Sequence, residues 1–191
     1  MAGLTRRGIL TGIAAAPLIM PGRRALATEQ APPLLTVSRR SLEVKGKAAT
    51  VFGLTGPNDK PGLDLMLGER FRYRVENRTD VDTLIHWHGL TPPSNQDGVP
   101  MLSQAPIPPG GTHDYDFENT RSGTHWMHSH VGLQEQQLLA APLIVRETAE
   151  PMFDTQEHVV LLHDFTFRDP EEILAELRGG GGAHAGHAMG H

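Results

Sequence analysis

Strict alternation of apolar and polar side chains is the feature of this sequence that most restricts its fold. In residues 71–77 the apolar residues are Phe71, Tyr73 and Val75, and residues 113–117 alternate in the same way. Successive side chains of a strand point to opposite faces, so each segment predicts a β-strand with one buried face. Turn-forming residues such as Pro108-Pro109-Gly110-Gly111 separate the candidate strands.

The rest of the chain favours short strands over long helices. Aromatic residues make up only 5% of the sequence, whereas there are 21 glycines and 15 prolines. Further strands are predicted at residues 49–54, 84–87, 124–130, 142–146 and 158–165, and the last contains a continuous apolar run that indicates burial on both faces. The pattern predicts an all-β fold, an antiparallel β-sandwich or barrel. A short helix is expected at residues 170–177, followed by a flexible Gly/His/Met-rich tail at 179–191.

The N-terminus has the composition of an export signal. Thr5-Arg6-Arg7 precedes an apolar, alanine-rich run, and Ala25-Leu26-Ala27 fits a cleavage site. Residues 1–27 are therefore predicted to be a twin-arginine signal peptide that directs the chain to the periplasm. The apolar run is too short to span a bilayer.

Charge and cysteine content exclude several function classes. The chain has 17 basic and 22 acidic residues, and removal of the four arginines of residues 1–27 leaves a formal charge near −9. A nucleic-acid or anionic-membrane partner is therefore not expected. The sequence has no cysteine, so it offers neither a disulfide nor a thiolate ligand.

Two histidine pairs carry the chemistry of the sequence. His86 and His88 flank Trp87, and His128 and His130 flank Ser129, each pair within a predicted strand. On a strand, residues i and i+2 share a face with Cα atoms roughly 6.5–7 Å apart, so each pair offers two imidazoles to one side. Imidazole binds copper and zinc well, and convergence of the four side chains predicts a metal cluster.

The order of motifs around these pairs resembles the N-terminal cupredoxin domain of the multicopper oxidases, the laccase and copper-resistance group. The resemblance covers roughly residues 40–146 and extends into 162–177. It implies a cupredoxin-like Greek-key β-sandwich at residues 28–148 and the start of a truncated second domain at 149–178. The motifs are His86-Trp87-His88-Gly89-Leu90, Asp97-Gly98-Val99-Pro100, Ile107-Pro108-Pro109-Gly110-Gly111-Thr112, Gly123 to His130, Gly132-Leu133-Gln134-Glu135-Gln136 and Ala141 to Val145.

The resemblance also implies roles for individual residues. His86 would bind a mononuclear type 2 copper, while His88, His128 and His130 would bind a type 3 copper pair. Together they would supply half of a trinuclear cluster. Asp97 corresponds to an acid that helps deliver protons as oxygen is reduced, although an ordinary Asp-Gly turn residue is an equal alternative.

Neighbouring residues are expected to have structural roles. Strand parity points Trp87 and Ser129 away from the histidines, towards packing. Trp126 shares the face of His128, where it would wall the site or belong to the core. Met127 is expected to pack, and His125 lies on the same face as Met127. The tail residues His184, His187, Met189 and His191 are expected to be incidental, with weak copper capture as the minority alternative.

The sequence leaves three hypotheses for the function, two of which involve copper. In the first, the chain is the N-terminal domain of a copper-resistance oxidase and needs C-terminal cupredoxin domains, or a partner chain, before dioxygen is reduced with electrons from phenols or Cu(I). The missing cysteine supports this hypothesis, because a blue-copper site requires a thiolate. In the second, it is a stand-alone periplasmic copper-binding or buffering protein. In the third, the sandwich has no copper role.

Overall fold

The computed structural model of the protein describes residues 30–147 and 156–179. The predicted signal peptide at 1–27 lies outside the described residues. The same holds for the predicted tail at 179–191 apart from Gly179, and for the predicted domain boundary at 148–149. No helix in the described part of the chain is long and apolar enough to cross a membrane.

In the described part of the chain, eight strands form two four-stranded sheets, in agreement with the predicted all-β class. The strands are β1 (Leu34–Val44), β2 (Lys47–Thr55), β3 (Leu63–Met66), β4 (Arg70–Asn77), β5 (Ile85–His88), β6 (Thr112–Glu118), β7 (Gly123–Ser129) and β8 (Ala140–Arg146). One sheet has the order β2-β1-β4-β6 and the other β3-β8-β7-β5. Six predicted strands coincide with β2 and β4–β8, whereas β1 and β3 were not predicted.

The sheets are mixed, which corrects the expectation of an antiparallel sandwich in two of the strand pairs. β1 lies parallel to β4, and β3 lies parallel to β8, while the remaining pairs are antiparallel. Strand direction depends on how the chain crosses between the sheets, which alternation within a strand does not encode. The β1–β2 hairpin turns at Lys45-Gly46, where both φ angles are positive (50° and 77°), as a tight two-residue turn requires.

Two separate sheets pack on an aromatic cluster, so the fold is a sandwich rather than a barrel. Phe71 of β4 stacks on Phe117 of β6 with ring centroids 4.5 Å apart, and its ring meets the edge of Trp87 of β5 at 4.7 Å. Trp87 also contacts Tyr115 at 4.7 Å. Phe71, Trp87 and Tyr115 are fully buried, so the inner face of β5 is committed to the core. The outer face of β5 remains for other chemistry.

The segment after the sandwich forms only its predicted helix. Helix α1 spans Pro170–Gly179, close to the predicted 170–177. The predicted strand at 158–165 was wrong, because the described residues of that segment form no strand. Val160 and Leu162 are 75% and 86% exposed, so its apolar run has neither a ladder partner nor a covering layer among the described residues.

Candidate metal centre

Pairing of β5 with β7 brings the two histidine motifs onto one surface. The strands are antiparallel, with His86 opposite His128 and His88 opposite Trp126, and His130 directly follows β7. Trp87 and Met127, opposite each other in the same register, are fully buried in the core. The alternation of strand side chains therefore puts the four predicted histidines on the outer face.

Each of the four imidazole rings lies close to at least two of the others. The ring of His86 has its centroid 4.5 Å from that of His130, 5.6 Å from that of His128 and 5.8 Å from that of His88. The rings of His128 and His130 are 4.8 Å apart. One ring nitrogen from each of His86, His88 and His128 lies within 4.8 Å of the others. The structure thus brings together all four sequence-predicted histidines, and their ligation of copper stays a prediction.

The closest ring nitrogens have the separation of two ligands on one ion. Nδ1 of His88 lies 3.2 Å from Nε2 of His128. Two nitrogens bound to one metal at about 2.0 Å are about 2.8–3.3 Å apart for angles between square-planar and tetrahedral. The donor set is imidazole throughout, which suits copper or zinc. The residues present therefore fit a metal ion at this position.

Asp97 holds His86 chiefly through its backbone. The carbonyl oxygen of Asp97 lies 2.7 Å from Nδ1 of His86, and its carboxylate oxygen lies 3.4 Å from the same nitrogen. A carbonyl oxygen only accepts hydrogen bonds, so Nδ1 of His86 carries the proton and donates it. Nε2 of His86 then keeps its lone pair for a ligand.

The turn that carries Asp97 is fixed against β5. The indole Nε1 of Trp87 donates to the carbonyl of Gln96 at 2.9 Å, and the Gln96 amide bonds both backbone groups of Asp116. Gly98 has φ +70°, and a Cβ there would collide with the backbone of Ile85. No other residue fits this position without strain. The Asp97-Gly98-Val99-Pro100 motif does not by itself reveal this requirement, because it arises from the contact with β5.

Trp126 walls the histidines on one side. Its ring stacks on His128 with centroids 4.0 Å apart and planes at 11°, and it lies 5.0 Å from His88. Of the two alternatives for Trp126, the structure therefore supports the wall. Met127 and Ser129 are buried, as the packing predictions stated. His125 has Nε2 3.2 Å from the carbonyl of Ser122, on the same strand face as Met127.

Burial lowers the pKa of two of the rings and so favours their neutral forms. Desolvation lowers the pKa of His128, and a further decrease comes from His130 and the other histidines, while Glu135 opposes the shift. Desolvation also lowers the pKa of His130, and His86 lowers it further. A neutral imidazole retains the lone pair that metal binding needs. These histidines are thus favoured in a form that binds metal at neutral pH.

The loop after His130 is anchored by Gln134, which sequence analysis missed as a supporting residue. Its amide oxygen accepts from Thr83 Oγ1 at 2.8 Å and from Ser129 Oγ at 2.7 Å, and its amide nitrogen donates to the carbonyl of Asp82 at 2.7 Å. Gln134 is only 6% exposed. Its partner Thr83 is 51 residues away, so no local pattern reveals the contact. The loop also carries Glu135, whose carboxylate lies 2.9 Å from Nδ1 of His128.

Comparison with known proteins relates this arrangement to copper oxidases. The family model for multicopper oxidases matches residues 36–150, more than half of the chain. The chain is 39% identical over 145 residues to copper resistance protein A of Pseudomonas syringae pv. tomato, and 37% identical over 145 residues to copper resistance protein A of Escherichia coli. Each alignment covers 75% of this chain and 24% of the relative. The chain thus spans about a quarter of the length of these curated relatives.

Solved structures agree with this relationship. A multi-copper oxidase from Pseudomonas thermotolerans superimposes with a TM-score of 0.59 at 34% identity, over 63% of this chain and 30% of that chain. Lac15 from a marine microbial metagenome gives a TM-score of 0.57 at 32% identity, over 65% of this chain and 35% of that chain. The predicted cupredoxin-like β-sandwich is confirmed.

Replacement of Gln134 by Ala is expected to loosen the loop after His130. The change leaves the buried hydroxyls of Thr83 and Ser129 without their acceptor, at a cost of about 1–3 kcal/mol in unfolding free energy. Urea unfolding measures this cost. Amide hydrogen exchange should also accelerate at Val131 and Leu139, whose amides bond Ser129 Oγ and the Gln134 carbonyl.

The matched control is Gln136→Ala on the same loop. Gln136 is exposed, so its loss should change the unfolding free energy by no more than about 0.5 kcal/mol. Equal effects of Q134A and Q136A on stability and exchange would contradict the anchoring role of Gln134.

Proposed function

The chain belongs to the multicopper oxidase family, and from this premise we propose that it is the copper-binding N-terminal part of such an oxidase. His86, His88, His128 and His130 supply half of a trinuclear copper cluster. The complete enzyme reduces dioxygen to water and oxidises phenols or Cu(I). The single observation that carries the proposal is the 3.2 Å separation between Nδ1 of His88 and Nε2 of His128, which suits two ligands of one ion.

The division of the ligands follows from the family. His86 belongs to the type 2 site, and His88, His128 and His130 belong to the type 3 pair. The close approach of His88 to His128 supports a shared type 3 ion for these two rings. His86 is held separately, by the carbonyl of Asp97, with Nε2 left for its own ion.

This chain supplies only half of the ligands of the cluster. His88 and His130 are exposed, so the outer side of the histidine group is open among the described residues. In the complete enzyme, C-terminal cupredoxin domains or a partner chain cover this side and supply the remaining ligands. This sequence has no cysteine, so those domains or that partner chain must also supply the type 1 site, which passes electrons to the cluster.

The chain's own residues would hold the metal and shield one side of it from water. When bound, the copper cluster supplies the electron transfer that reduces oxygen. β5 and β7 fix the directions of the imidazoles, Trp126 covers His128, and the Asp97 turn fixes the tautomer of His86. Periplasmic location through twin-arginine export belongs to the same proposal, supported by Arg6-Arg7 and the apolar run that follows, and cell fractionation tests it.

Copper binding by the four histidines is the first expected outcome. Cu(II) titrated into the full chain should quench the fluorescence of Trp126, because its ring contacts His88 and His128. The variant H86A/H88A/H128A/H130A should weaken this binding by more than about 100-fold, a larger loss than removal of an outer-shell partner causes. Isothermal titration gives the stoichiometry in parallel.

Two controls assign the fluorescence signal. W126F should remove most of the quenching and retain the copper stoichiometry, because Trp87 lies in the core on the opposite strand face. H184A/H187A/H191A should leave the quenching unchanged, since those histidines belong to the tail. Copper uptake that survives replacement of all four site histidines would refute the proposed ligand set.

The chain alone is expected to be catalytically incomplete. Oxygen consumption with a phenol or Cu(I) as reductant should stay at the level of free copper, because the chain lacks a thiolate ligand and the second half of the ligand set. Sustained turnover by the purified chain would contradict this expectation. DNA just downstream that encodes neither a His-Cys-His segment nor another His-x-His would instead support the stand-alone copper-binding alternative.

Asp97 is proposed to relay protons to the site where oxygen is reduced. A carboxylate oxygen lies 3.4 Å from Nδ1 of His86, and the Asp97 side chain is 34% exposed, so it is close to the ligand and also reaches solvent. In the enzyme completed by its remaining domains, Asp97→Asn should slow oxygen consumption by about 10²-fold or more. Copper content should stay unchanged, because the carbonyl that holds His86 is retained. Parallel loss of copper would assign Asp97 a structural role instead.

A further inference from the structure

Glu135 is an acidic residue beside the histidine group with no role in the function proposed so far. Its carboxylate oxygen Oε2 lies 2.9 Å from Nδ1 of His128, whose side chain is only 6% exposed. Among the described residues, this is the only hydrogen-bonding or ion-pair contact of the Glu135 side chain. The fold of the loop does not depend on that side chain, because Gln134 anchors the loop and Leu138 bonds only the backbone carbonyl of Glu135.

The position of the carboxylate selects one tautomer of His128. An ionised carboxylate only accepts hydrogen bonds, so it favours the ring form with the proton on Nδ1. The oxygen is at ion-pair distance without the alignment of a full hydrogen bond, and its effect on the ring is therefore mainly electrostatic attraction of the N–H group. Nε2 of His128 is then the nitrogen with the free lone pair.

That nitrogen is the one directed at His88. Nε2 of His128 lies 3.2 Å from Nδ1 of His88, so the metal-free pair is joined by a proton on the His88 nitrogen. When a metal ion binds between the rings, the exposed His88 ring releases this proton to solvent and carries one on its own Nε2 instead, so that both facing lone pairs point at the ion. With the opposite tautomer, the proton would have to leave Nε2 of the buried His128 ring before metal could bind.

We propose that Glu135 is a positioning residue that holds His128 as the Nδ1–H tautomer and so presents Nε2 to a metal ion shared with His88. The inference rests on the proposed function and extends it to a residue outside the ligand set. It parallels the arrangement at His86, where the Asp97 carbonyl fixes the same tautomer. Because Glu135 acts through its side chain, its contribution can be removed by mutation.

The test compares three full-length chains: the unaltered protein, E135Q and E135Q/Q136E. The side-chain amide that E135Q introduces can accept from Nδ1 or donate to it, so it selects neither tautomer. The double variant restores the loop's charge one residue further on, at an exposed position. It therefore separates a specific contact with His128 from general attraction of copper by a negative loop.

The first measurement uses the metal-free chain. Ring nitrogen chemical shifts at about pH 8, above the ordinary histidine pKa of about 6.5, report the tautomer of each neutral imidazole. His128 should be predominantly the Nδ1–H form in the unaltered chain and a mixture of both forms in E135Q and in E135Q/Q136E. Urea midpoints should agree among the three chains, since the Glu135 side chain does not support the loop.

The second measurement is copper affinity, read from the quenching of Trp126. E135Q should bind Cu(II) about 10–100-fold more weakly, the usual effect of losing an outer-shell partner of a ligand. E135Q/Q136E should remain equally weak.

Three outcomes would overturn the inference: an Nε2–H form of His128 in the unaltered chain, a tautomer that does not respond to E135Q, or full recovery of affinity in the double variant. Failure of the unaltered chain to bind copper through its histidines would instead refute the proposed function. The tautomer comparison in the metal-free chain would still support or overturn the effect of Glu135 on the ring.

Discussion

The antiparallel pairing of β5 with β7 is the constraint on which the rest of the site depends. It sets His86 opposite His128, and the same register sets Trp87 opposite Met127 in the core. A shift by one residue would exchange the two faces, exposing an indole and burying imidazoles. Packing of Trp87 against Phe71 and Tyr115 therefore fixes the register. Core packing and ligand geometry are consequences of one pairing.

The pairing of β5 with β7 fixes the positions of the imidazole rings but not which ring nitrogen each presents to a metal. Two flanking segments select that nitrogen by different means. The turn at residues 94–98 uses a backbone carbonyl, and it reaches β5 because Gly98 permits a close approach. The loop after β7 uses side chains, with Gln134 as its anchor and Glu135 beside His128. Such outer contacts usually decide how well a metal site holds its ligands.

The exposure of the histidines relates the site to the length of the chain. His128 is buried, whereas His88 and His130 face outwards. One side of the group is thus supported by the sandwich, and the other is open among the described residues. The chain spans about a quarter of the copper resistance relatives, which leaves room in those proteins for an opposite wall. The open face and the absent cysteine agree with the proposal of a half cluster.

Much of the fold was predictable from local alternation, because a side-chain period of two is a property of each strand by itself. Alternation identified β4 and β6, and the His-x-His motifs identified the face on which His86, His88, His128 and His130 lie. The strand predicted at residues 158–165 failed because an apolar run becomes a strand only with a partner to complete its ladder. The parallel pairings of β1 with β4 and of β3 with β8 depend on how the chain crosses between strands. The residue pattern within one strand does not indicate that route.

The sequence by itself determined the four histidines, their shared strand face and the absence of a thiolate, since these follow from residue identity and spacing. Only the tertiary structure decided that Gly98 must lack a Cβ, that Gln134 reaches Thr83 and that Glu135 meets Nδ1 of His128. The physical reason is the separation along the chain over which each effect acts. Periodicity acts between neighbours along the chain, whereas the contacts that orient each imidazole depend on how the turns and loops pack against the strands after folding.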